Sequence, residues 1–171
     1  MKFLVSIISI FSFSFISAQI SEVRSKLITS GSVENVNYFV TNETANQTND
    51  VTFLSLNISP SKREIATAKY LGKTIPILDY LYFSFKKESR EYNDFIEILK
   101  RALLHIDSRS NSTLELESRD SKGYPYKISV YQNEYVEITK YPYPGDHIIL
   151  TKNREVEHKS LKQLYEKLKS L

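Results

Sequence analysis

A chain of 171 residues with a formal net charge of +3 and no cysteine is long enough for one ordinary hydrophobic core without disulfide staples. Its 23 basic and 20 acidic side chains are interspersed, with no dense basic block, which argues against nucleic acid as the designed partner. The missing cysteines also exclude a lipid-attachment thiol and any thiol nucleophile.

At the N-terminus, Met1-Lys2 leads into an apolar run over residues 3–16, closed by Ser17-Ala18-Gln19. This order predicts a secretory signal peptide over residues 1–18, cleaved after Ala18, with residues 19–171 forming a single exported domain, secreted or periplasmic. The run is too short to span a bilayer comfortably, so no transmembrane segment is expected after its removal.

Residues 21–28 place Val23, Leu27 and Ile28 on one stripe and are open to a short helix or a lead-in. Residues 36–40 and 51–58 are rich in β-branched and aromatic side chains and predict strands, while the polar stretch 42–50 between them predicts an exposed loop. Asn42, Asn46, Asn57 and Asn111 each begin an Asn-x-Ser/Thr triplet, a glycosylation pattern only where the host is eukaryotic. Ser61 and Glu64 have capping-box spacing, predicting a helix that Gly72 closes, although Thr67 and Tyr70 also allow a strand. Beyond Pro76, Leu81, Phe83 and Phe85 alternate with Tyr80, Tyr82 and Ser84, predicting a mostly buried strand.

The strongest helical pattern covers residues 88–106, where Tyr92, Phe95, Ile96, Leu99, Leu103 and Ile106 recur on one face. Residues 113–151 then alternate with a period of two in four short runs, predicting an antiparallel meander. Keeping the apolar residues on one side sets Leu116 opposite Ile128, Val130 opposite Val136 and Ile138 opposite Ile148. A C-terminal helix is predicted from a second capping-box pattern at Ser160 and Gln163, with Leu161, Leu164, Tyr165, Leu168 and Leu171 as its stripe. The fold class is α+β: a largely antiparallel sheet, a C-terminal four-strand meander and two main amphipathic helices on one face.

The chemistry on offer is narrow. Three histidines and four glycines are present; no zinc-binding spacing, phosphate-cradling loop or Gly-x-Ser-x-Gly element occurs, and no metal or cofactor is expected. Tyrosine is abundant, with Tyr131, Tyr135, Tyr141 and Tyr143 concentrated in the meander beside His147. Aromatics with a polar tip suit binding faces, because they add contact area at little entropic cost. These five residues form the candidate binding site, and the expected function is non-catalytic binding of an envelope or extracellular protein or a glycan. The alternative is a small cofactor-independent hydrolase using His147 with a nearby carboxylate.

Overall fold

The computed structural model describes residues 23–45, 50–59, 67–70, 73–76, 80–132, 134–141 and 152–171. Residues 1–18, expected to form a signal peptide, lie outside the described residues, as do Tyr143 and His147.

Among the described residues, two four-stranded antiparallel sheets and two helices surround one core. The first sheet has the order β1-β2-β3-β6, built from β1 (Val23–Val33), β2 (Val36–Ala45), β3 (Val51–Ile58) and β6 (Leu81–Lys86). A separate two-stranded hairpin, β4 (Thr67–Tyr70) with β5 (Lys73–Pro76), occupies the connection between β3 and β6. The second sheet has the order β10-β9-β8-β7, from β7 (Leu114–Arg119), β8 (Pro125–Val130), β9 (Tyr135–Lys140) and β10 (Lys152–Glu157). Helix α1 (Arg90–Asp107) packs on β6, β7 and β8, and α2 (His158–Lys169) on β1, β9 and β10; the helices also pack on each other. Among the described residues no helix is long and apolar enough to cross a membrane.

The core is joined through aromatics. Phe83 and Phe85 on β6, Phe95 on α1 and Tyr126 on β8 are all buried. Phe85 stacks on Phe95 at 4.5 Å, and Tyr126 meets Phe83 edge-on at 5.4 Å. The offset and edge-to-face geometries suit the ring quadrupoles, and this kernel ties the first sheet, α1 and the second sheet together. Leu99 is fully buried, as the helical stripe predicts. Ser89 caps α1 by accepting from the Tyr92 amide, and the Tyr92 hydroxyl donates to the Leu168 carbonyl on α2.

The α+β class, the long helix and the C-terminal four-strand meander follow the sequence pattern, and the pairs Leu116↔Ile128 and Val130↔Val136 hold. Several local expectations are corrected. Residues 23–28 are strand, the start of an eleven-residue β1, because they pair antiparallel with β2, with a register shift at Ile28. The polar stretch after Val40 continues β2 to Ala45, its ladder supported by a Thr52 hydroxyl donating to Asn42 Oδ1 at 2.7 Å. Where the capped helix or a strand was expected, residues 67–70 and 73–76 pair as strands, in keeping with the β preference of Thr67, Thr74 and Ile75; Ser61, Glu64 and Gly72 lie outside the described residues.

The fourth meander strand is Lys152–Glu157, and Ile138 lies opposite Arg154 instead of Ile148. An edge strand needs few inward residues: Val156 enters the core, and the aliphatic stem of an arginine can cover its apolar neighbour. Helix α2 begins at His158 with Glu157 at its N-cap and no side-chain cap bond. Ser160, expected as the cap, is instead buried in the first turn.

Candidate functional site

The site grows from the β7–β8 turn. Asp120 is 1% exposed, and its Oδ1 accepts from the amides of Lys122 at 3.0 Å and Tyr124 at 2.9 Å. Gly123 sits at φ 84° and donates to the Asp120 carbonyl, a left-handed position where glycine avoids the cost of a Cβ. The folded-over turn leans on the outer edge of β6. There the Ser121 amide donates to the Ser84 carbonyl at 2.9 Å, and the Lys86 amide donates to Ser121 Oγ at 2.8 Å. These bonds cover an edge that would otherwise offer free backbone groups.

Lys140, at the end of β9, closes the arrangement from the other side. Its ammonium donates to Asp120 Oδ2 at 2.6 Å and to the Tyr82 carbonyl, between the rings of Phe83 at 4.7 Å and Tyr124 at 4.8 Å. Burial pushes the Lys140 ammonium below the ordinary lysine range, and the bond and charge of Asp120 work in the opposite direction. A buried charge pair of this kind orders its surroundings more than it stabilises them.

Around this bolt lies a cleft of about 290 Å³ lined by Tyr80, Leu81, Tyr82, Lys122, Tyr124, Lys140 and Tyr141. Tyr80 and Tyr82 are 37% and 40% exposed. Lys122 holds its ammonium 5.1 Å over the Tyr82 ring, and the Tyr141 amide donates to the Pro125 carbonyl. The cleft therefore offers aromatic surface on a stiff backbone, with positive charge at its wall and no carboxylate in its lining among the described residues.

The structure divides the predicted site. Tyr141 enters the tyrosine cleft, whereas Tyr131 lines a second cleft at the opposite end of β8. Tyr135 starts β9 opposite Glu157, and the β8–β9 ladder ends at Val130↔Val136 before reaching it. Tyr143 and His147 fall outside the described residues. Of the remaining histidines, His105 and His158 meet in the second cleft. Among the described residues, no group of three or more histidines and carboxylates is placed to hold a metal ion. Glu137 on β9 has its oxygens engaged by Thr139 Oγ1 and Asn153 Nδ2, and the neighbouring Ser129 and Thr139 on the same face are buried.

The sequence reading missed Tyr80, Tyr82, Lys122 and Lys140. The outward parity of Tyr80 and Tyr82 on a strand was the available signal, but only tertiary structure brings that edge against the turn at Asp120. No family model, curated protein or solved structure matches the chain.

Proposed function

We propose that the protein is a non-catalytic binding module that captures an envelope or extracellular protein, or a glycan, through the tyrosine cleft. The observation that carries this reading is the convergence of Tyr80, Tyr82, Tyr124 and Tyr141 from three separate chain segments onto one open cleft. Tyrosines on a fixed backbone supply contact area with little entropy to lose, and they are frequent binding hot spots. Beneath this cleft, Asp120 already receives the Lys122 and Tyr124 amides and the Lys140 ammonium. A general base must instead have a lone pair directed at the proton it abstracts.

The N-terminal pattern of Lys2, apolar run and Ser17-Ala18 supports export with cleavage after Ala18. N-terminal mass spectrometry of the native protein should find Gln19 first, and intact Met1 on cytosolic protein would reject export.

To separate binding from hydrolysis, the immobilised mature chain is offered a glycan panel and an extracellular protein fraction, and the retained molecules are eluted and weighed. The proposal expects saturable retention of ligands that return with unchanged mass. Cleaved products formed by the wild-type protein and lost in His147→Ala would overturn it in favour of a hydrolase.

A further inference from the structure

We propose that the second cleft, at the other end of the β8–β9 hairpin, binds a small zwitterion of the α-amino acid class. Its volume is about 430 Å³, and its lining brings together His105, Arg109, Tyr131, Gln132, Glu134 and His158. That volume is within the range of small-molecule sites.

The charges in this cleft are left open. Arg109 and Glu134, both exposed to solvent, carry opposite charges on the same lining, and among the described residues neither side chain forms an ion pair or side-chain hydrogen bond. His158 Nε2 is buried and also lacks a partner among them, a condition polar groups rarely keep unless a ligand or water completes them. His105 is positioned by its Nε2, 2.8 Å from the Ser112 carbonyl. A carbonyl only accepts, so this nitrogen carries the hydrogen and Nδ1 is left as the second polar atom of the ring. Arg109 sits at φ 50° just after the C-cap of α1, where glycine or asparagine is the less strained choice. An arginine is therefore held there against its backbone preference.

These groups define the ligand. A guanidinium fork matches a carboxylate, with His158 Nε2 as a second contact. Glu134 matches an ammonium and opposes a polyanion, while Arg109 opposes a simple cation. The Tyr131 ring, 39% exposed, offers an apolar wall for the ligand's side chain.

The test is a ¹⁵N NMR titration of the mature chain with glycine, L-alanine, L-leucine and L-glutamate, using acetate, methylammonium and phosphate as partial ligands. At least one amino acid should shift the Gln132, Glu134 and His158 amides saturably, with acetate, methylammonium and phosphate each about tenfold weaker or more. Arg109→Gly should weaken that amino acid by about tenfold or more without lowering the melting midpoint, because glycine relieves the left-handed position. Glu134→Gln should weaken the amino acid and leave acetate unaffected. The inference is overturned if no amino acid gives a saturable shift, if acetate or phosphate binds as tightly, or if folded Arg109→Gly binds like the wild type.

Discussion

The two ends of the β8–β9 hairpin carry clefts of opposite character. At the end formed by Tyr124 and Lys140, the polar groups are bonded to one another: Asp120 takes three donors, and Lys140 divides its hydrogen bonds between Asp120 and the Tyr82 carbonyl. What faces outward there is aromatic. At the other end, about 17 Å away for a six-residue strand, Arg109 and Glu134 are exposed to solvent and His158 Nε2 is enclosed, and none of the three has a side-chain partner among the described residues. A saturated polar network fixes a shape for contact, whereas an enclosed unpaired nitrogen between two solvated charges can take a polar ligand. The same hairpin thus supports two kinds of recognition, distinguished by where its hydrogen bonds are already used.

The largest expected effect falls on what the two ends share. Phe95→Ala removes the ring that joins Phe83, Phe85 and Tyr126, and it should cost about 3 to 5 kcal/mol through lost burial and a cavity. Denaturant unfolding monitored at both clefts should shift together. If only one cleft loosens, the ends do not share a core in the way the kernel implies.

Next in size is Asp120→Ala, which leaves the largely buried Lys140 ammonium without its anion and frees two amides. The cost should be about 3 kcal/mol. Amide shifts should concentrate at Tyr82, Tyr124 and Tyr141 and spare Gln132 and His158, since distant sites act independently. Shifts of equal size at both ends would erase the distinction between them. Asp120→Asn retains the Oδ1 acceptor and should be milder.

A smaller effect appears only in alkali. Burial raises the Tyr126 phenol well above its ordinary value near 10. The unfolded chain therefore ionises first, the folded state holds more protons, and stability falls as pH rises past about 10 by up to about 1.4 kcal/mol per unit. Tyr126→Phe should remove that slope while leaving the tyrosine cleft intact. The depressed Lys140 contributes the opposite slope, so wild type and variant must be compared at each pH. Identical alkaline melting curves would show that Tyr126 is not held as described.

Much of the fold was legible where periodicity and burial coincide. Phe95 and Leu99 announced α1, and the meander register followed from Leu116, Ile128, Val130 and Val136, because a one-residue slip would turn them all toward water. The signal weakened at edges. Strand β10 brings Val156 to the core among charged neighbours, and β1 leaves Leu27 and Ile28 exposed beside a register shift, so neither shows clean alternation. The candidate site was legible in its composition and not in its assembly. Tyrosine abundance pointed to aromatic recognition, and Tyr141 belongs to the cleft, but Tyr80 and Tyr82 reach it only because the turn at Asp120 docks on β6. Nothing local in the sequence shows that His158 Nε2 becomes enclosed.

The proposed binding role rests most directly on the tyrosine cleft, and the decisive measurement is ligand retention by a Tyr80→Ala/Tyr141→Ala double variant. Both rings line the cleft, and neither is among the fully buried side chains of the core, so the melting midpoint should change little. Retention of the protein or glycan captured by the wild type should weaken by about 1 to 4 kcal/mol, or roughly fivefold to almost a thousandfold. Undiminished retention by the folded double variant would contradict the account and move the binding face away from this cleft.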